Sequence, residues 1–159
     1  MEIDYIFLMK IALAEAEKAW TEGEVPVGAV LADQEGNILA KAHNRCISLN
    51  DPTAHAEILA IRKAAKIKKN YRLNNTILVV TIEPCPMCAG AAVNARIEKL
   101  VFGAHDPKTG SAGSVYDIAF GKKLNHNIKI ISGILSEECG SLLKKFFEMK
   151  RKGEVPKWS

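Results

Sequence analysis

No stretch of the chain is long and apolar enough to cross a membrane, which takes about 20 mostly apolar residues, although 48% of the residues are hydrophobic. Neither glycine-rich nucleotide fingerprint occurs. The stretch from His105 to Ser114 is rich in small residues without the spacing of a phosphate cradle, and reads as a flexible or tightly turned connection. Four cysteines are too few for a disulfide scaffold and suit a reducing, cytoplasmic setting. Met1-Glu2-Ile3-Asp4 is acidic where a secretory leader would be basic. With no internal repeat, low-complexity tract or linker, the 159 residues are expected to form one domain over 1–159, large enough to bury about 68–70% of its unfolded surface. A net charge of +4 permits contact with nucleic acid without requiring it.

What the chain does have is concentrated at Glu83-Pro84-Cys85-Pro86-Met87-Cys88-Ala89-Gly90. A β-branched run, Thr76 to Ile82, enters it as a strand. Pro86 suits the first turn of a following helix, where its missing N–H costs nothing. Cys85 and Cys88 are three apart, so on that turn both sulfurs can face one way. The partial positive charge of the helix N-terminus favours thiolates, the metal-binding form.

Asp51-Pro52-Thr53-Ala54-His55-Ala56-Glu57 reads as a second helix start, with Thr53 as its cap. His55 joins Cys85 and Cys88 in a Cys2His set, one short of the four ligands of a closed structural zinc site. The open position points to catalysis. Two thiolates cancel the charge of Zn2+, so its water is acidified less than in a three-histidine site and an added base becomes useful. Glu57, two residues from His55, can be that base, a role typically worth about 10^2 to 10^4 in rate. His-x-Glu followed by Pro-Cys-x-x-Cys is the signature of zinc nucleobase deaminases. Cys-x-x-Cys alone also occurs in redox pairs and zinc ribbons, but no fourth ligand has suitable spacing here. Cys46 and Cys139 read as small apolar residues in or near the core.

Around these motifs the pattern predicts a helix from about Asp4 to Trp20 with a stripe through Phe7, Ile11, Ala14 and Lys18. A hairpin follows, with strands Glu24 to Leu31 and Ile38 to His43 about a turn at 33–37. Further strands are expected at Lys99 to Gly103 and Asn127 to Ile131, then a helix from Ser136, as its cap, to Arg151 with Leu142, Leu143, Phe146 and Phe147 on its apolar side. The tail after Gly153 reads as frayed. Arg62, Lys63, Lys66, Lys68, Lys69 and Arg72 make the exit of the second helix basic, either as a solvated face or as a phosphate contact. Alternating strands and helices point to an α/β layered fold.

Beyond the zinc motif the chain resembles the bacterial tRNA-specific adenosine deaminases of the cytidine-deaminase-like superfamily. The matching stretches are Glu24 to Val30, His43-Asn44-Arg45, Asp51 to Glu57, Tyr71-Arg72-Leu73, Thr81 to Gly90, the loop Asp106 to Ser114, Asn125-His126, and Phe146-Phe147 with the basic residues after them. The resemblance implies a three-layer α/β/α sandwich with a central five-stranded mixed sheet, a homodimer, and one Zn2+ per subunit. It also implies hydrolytic deamination of adenosine to inosine in a tRNA anticodon stem-loop, at the first anticodon position, with Glu57 as proton shuttle. Asn44 matches the residue that hydrogen-bonds the base; its bland role is a turn after the hairpin. Asp106 and Lys108 fall in the loop that approaches the nucleotide, and Phe146, Phe147, Lys150 and Arg151 in the helix that contacts RNA, with one phenylalanine expected in the core and the other in contact. His43, His105 and His126 carry no assigned role. Pro86-Met87 also resembles deaminases of free bases, so guanine, cytosine or a nucleotide stays open as substrate, as does a non-catalytic RNA-binding subunit with structural zinc.

Overall fold

All seven residues of β3, Thr76–Ile82, are buried, and a strand covered on both faces has to sit mid-sheet. The computed structural model describes residues 2–121 and 123–155 and centres β3 in a five-stranded sheet. Its neighbours are β1, Gly28–Asp33, and β4, Lys99–Ala104; β2, Ile38–His43, and β5, Lys129–Ile131, lie at the edges. β1 runs antiparallel to β2 and to β3, whereas β3, β4 and β5 are parallel, so the sheet is mixed.

Strand side chains alternate between faces, and here each face has its own cover. Val30, Ala32, Ile77, Val79 and Val101 pack against α1, Tyr5–Thr21, and α4, Ser136–Arg151. Ala29, Leu31, Leu78, Val80, Leu100 and Phe102 pack against α2, Ala56–Lys68, and α3, Pro86–Asn94. The result is a three-layer α/β/α sandwich.

Several expected details differ. The stripe Phe7, Ile11, Ala14, Lys18 is not the buried face of α1: Phe7 is 54% exposed, and Leu8, Met9, Ala12, Ala16 and Ala19 face the sheet. A Cβ on Gly28 would overlap the backbone of Ala12 and Ala16, so the small residues mark where helix and strand touch. Asp4 caps α1 by accepting the Phe7 N–H at 2.9 Å. β1 starts at Gly28 and not at Glu24, because Pro26 has no N–H for a ladder and the Val27 N–H turns back to the Val25 carbonyl. β5 starts two residues later than Asn127. Ser136 is the first helical residue of α4 and caps nothing; Leu135, in the left-handed region at φ 53°, precedes it. Thr53 does not cap α2 either, since its hydroxyl donates to Asp51. Of the tail, Glu154 donates to the Met149 carbonyl and Val155 is buried; residues 156–159 lie outside the described residues.

Candidate active site

Two helix N-termini meet beside the end of β3. Cys85 is the N-cap of α3, Pro86 follows at its first position, and Cys88 lies one turn in. His55 is the N-cap of α2. The first free N–H of α2, on Ala56, donates to Asn44 Oδ1 at 2.8 Å, so the cap comes from twelve residues upstream. That bond spends the amide oxygen of Asn44 and leaves its nitrogen for the neighbouring cavity, which Asn44 lines.

His55 Nδ1 lies 3.6 Å from Cys85 Sγ and 3.4 Å from Cys88 Sγ, and the three donor atoms fall within 4.8 Å of one another. A tetrahedral ion with Zn–S of about 2.3 Å and Zn–N of about 2.0 Å separates its ligand atoms by roughly 3.4–3.8 Å. The cluster therefore fits zinc in both donor chemistry and spacing. Cys85 is held down to about 4, mainly by the hydrogen bond from the Cys88 thiol and then by His55 and the Cys88 N–H, against its burial. Cys88, the donor in that pair and itself buried, is pushed up. His55 is raised by its bond to Cys85 in spite of burial.

Glu57, in the first turn of α2, is 4% exposed and hydrogen-bonds Cys88. Burial pushes its carboxyl up to about 7, outweighing the bond from its own N–H and the attraction of His55.

His55, Cys85 and Glu57 open into a cavity of about 280 Å3 whose wall also includes Val25, Val27, Asn44, Glu83, Asp106, Thr109, Leu143 and Phe147, with Cys88 buried behind it. Small-molecule sites usually span roughly 300–1,000 Å3, so this one suits a single heterocycle. A larger groove of about 580 Å3 between α1 and β2 has no cysteine or histidine in its lining, so size does not locate the chemistry. Phe147 is half-buried at the cavity, while Phe146 is fully buried and stacks edge-on with Trp20 at 5.3 Å. Phe146 thus belongs to the core and offers no surface to a substrate. Lys108 and Arg151 are exposed outside the cavity. The exposed basic residues at the end of α2 are not brought to it.

A family model for the cytidine and deoxycytidylate deaminase zinc-binding region matches residues 3–104. The chain belongs to this deaminase family. A tRNA-specific adenosine deaminase of Haemophilus influenzae is 51% identical over 91% of this chain and 83% of its own length, and one of Bacillus subtilis is 49% identical over 91% and 89%. A structure from a study of A-to-I editing by tRNA:A34 deaminases at the wobble position superposes with a TM-score of 0.82 at 41% identity, over 86% of this chain and 98% of that one. Membership of a zinc-binding deaminase family agrees with the donor set, and the protein is a zinc deaminase.

Two residues near the site went unassigned in the sequence. Glu24, 1% exposed, accepts the Ile47 N–H, the Ser48 N–H and the Ser48 hydroxyl, and so holds the segment that follows Asn44. Glu83, 2% exposed, does the same for the loop at 106–114. Burial opposes its charge, but bonds from Ser114, Asp106 and Ala112 prevail and keep its carboxyl below the usual range. The available signal was a glutamate at the end of an apolar strand and next to a proline, since buried glutamates are rare unless partnered. The histidines also gain places: His43 bridges Glu15 at 3.2 Å and Glu22 at 3.0 Å, and His126 binds the Ile97 carbonyl at 2.7 Å. His105 packs edge-on against Phe102.

Proposed function

We propose that this protein hydrolyses adenosine to inosine at the first anticodon position of a tRNA. One observation carries the chemistry: a buried carboxyl, Glu57, stands against a three-donor metal cluster on the wall of a cavity sized for one base. Similarity to tRNA-specific adenosine deaminases over 91% of the chain supports the choice of base and of RNA.

His55, Cys85 and Cys88 hold the zinc, one ion per subunit, which when bound supplies a Lewis acid that makes water a nucleophile near neutral pH. Glu57 takes a proton from the attacking water and hands it to ring nitrogen N1, then moves a second proton to the departing amine. Oxygen from water ends on C6, the C6–N bond breaks, and ammonia leaves. A carboxyl poised near 7 can both accept and release a proton at working pH. Asn44 donates its amide N–H to the base. Asp106 and Lys108 face the nucleotide from the loop after β4, and Phe147 offers a ring on which a neighbouring base can stack. Leu143, Phe147 and Arg151 recur every four residues along one face of α4, so Arg151 continues the wall toward the phosphates. A splayed anticodon base reaches such a pocket at less cost than a base within a duplex.

A homodimer belongs to this reading. Val115, Tyr116, Phe120 and Leu124 are each 39–53% exposed within one short stretch of sequence, and exposed apolar side chains in number are of the kind that partners cover. A cytoplasmic location also suits it, since Cys85 and Cys88 have to stay reduced to bind metal. Among the described residues no helix is long and apolar enough to cross a membrane.

The test is to incubate zinc-loaded protein with an anticodon stem-loop beginning in adenosine, alongside guanine, cytosine, cytidine and free adenosine, and to assay inosine and ammonia. Inosine at the one position is expected, with the small molecules untouched. Ammonia from a small molecule and none from RNA overturns the substrate and leaves the zinc chemistry in place.

A further inference from the structure

Glu83 stands where the metal-binding turn meets the loop that walls the cavity. Cys85 lies two residues on, and the Glu83 side chain has 0% exposure. Oε1 accepts the Asp106 N–H at 3.0 Å and the Ser114 hydroxyl. Oε2 accepts the Ala112 N–H at 3.0 Å and the Ser114 N–H at 3.1 Å. The four hydrogen-bond donors all come from the single loop 106–114, and His105 Nδ1, just before it, lies 3.4 Å from Oε1. The same loop is tied to itself through Asp106, whose carboxylate accepts the N–H groups of Lys108 and Thr109 and the Thr109 hydroxyl. Gly110 rests directly on the Glu83 carboxyl, where a Cβ would overlap it. Asp106 and Thr109 then face the cavity.

We infer that Glu83, itself part of the cavity lining, is a positioning residue that sets the substrate wall of the pocket, its buried carboxylate spent on holding Asp106 and Thr109 at a fixed place relative to Cys85. A carboxylate is needed because the four donors call for acceptors on both oxygens; a glutamine has one oxygen and would turn N–H toward N–H. Bonds to an ionised acceptor are also about twice as strong as neutral ones. Among the described residues between β4 and β5 there is no helix and, apart from one bridge between Ala112 and Asp117, no further strand pairing, so side-chain acceptors have to shape the loop. The wall contacts the nucleotide and not the reacting atoms, so its displacement weakens binding more than it slows chemistry.

The inference rests on the deaminase reading above, and the test separates the two. Glu83→Gln and Ser114→Ala are compared with wild type for zinc content, kcat and KM on the anticodon stem-loop. Glu83→Gln is expected to keep its zinc and most of its kcat while KM rises roughly tenfold, the equivalent of about 1.4 kcal/mol. Ser114→Ala removes one donor, and a smaller rise in KM is expected; added to Glu83→Gln it brings little more, because the two share one bond network. An unchanged KM in Glu83→Gln overturns the inference, and so does loss of zinc with a matching fall in kcat, which would make Glu83 a support of the metal site. If Glu83→Gln does not fold, Ser114→Ala decides: an unchanged KM there overturns it equally. Wild type inert toward the stem-loop removes the substrate reading, and this inference with it.

Discussion

Glu57 and Cys85 are driven in opposite directions by surroundings they share: burial lifts the carboxyl to about 7, and hydrogen bonds from Cys88 and His55 drop the thiol to about 4. One group is left able to carry a proton near neutral pH and the other ready for metal. The lifted carboxyl has a measurable cost in the metal-free protein. Its usual value is 4.5, so between 4.5 and about 7 the folded chain holds a proton that the unfolded chain releases, and stability falls as pH rises through that window. The full penalty, reached above pH 7, is about 3 kcal/mol at 1.36 kcal/mol per pKa unit. Glutamine cannot ionise, and the thiols titrate in both proteins, so metal-free Glu57→Gln should gain on wild type by up to that amount between pH 5 and pH 8 in denaturant unfolding. A difference that stays flat with pH refutes the placement of Glu57 in a dry site. His55, Glu57, Cys85 and Cys88 were legible because metal chemistry restricts both residue type and spacing on a helix turn. Glu83 and Glu24 were hidden for the opposite reason: they bind mostly backbone N–H groups of a distant loop, which every residue except proline carries.

Elements were legible where one kind of side chain dominates. The limits of β2, β3 and α4 match the sequence reading, being set by alternation, by an unbroken apolar run and by a long amphipathic repeat. α1 was misread in its facing, because its contact with β1 is made by alanines and Gly28, which carry little hydrophobic signal. The cap of α2 was assigned to Thr53 by proximity, whereas a bond across twelve residues supplies it from Asn44. That bond separates the two roles open to Asn44. Asn44→Ala loses both the cap and the amide donor, and is expected to cost about 1 kcal/mol of stability together with most of the activity. Asn44→Asp keeps an oxygen for Ala56, and its charge suits a helix N-terminus, so its melting temperature should stay close to wild type while turnover of the stem-loop falls with the lost N–H. Full activity in Asn44→Asp would make Asn44 a cap and nothing more.

Two basic runs lie at different distances from the cavity, and that placement bears on which lysines an anticodon stem-loop seated there could reach. α2 starts at the metal donors and runs 13 residues, about 20 Å at 1.5 Å per residue, so the exposed group Lys66, Lys68 and Lys69 ends far from the cavity. α4 instead brings its basic end close: Phe147 lines the cavity, Lys150 Nζ lies 6.0 Å from its ring, and Arg151 and Lys152 follow. Both runs look alike in sequence, since a solvated helix face and a phosphate-binding face use the same residues; the fold places one beside the cavity and the other a helix length away. Each phosphate neutralised on a single strand contributes about −0.7 to the slope of log affinity against log salt. Replacing Lys150, Arg151 and Lys152 together with glutamine should therefore flatten the slope for an anticodon stem-loop by up to about 2 units, at 0.7 per contact. The same change at Lys66, Lys68 and Lys69 should leave it as it is. A flatter slope from the α2 variant would mean that RNA reaches around to the end of that helix, and an unaltered slope from the α4 variant would remove α4 from the interface.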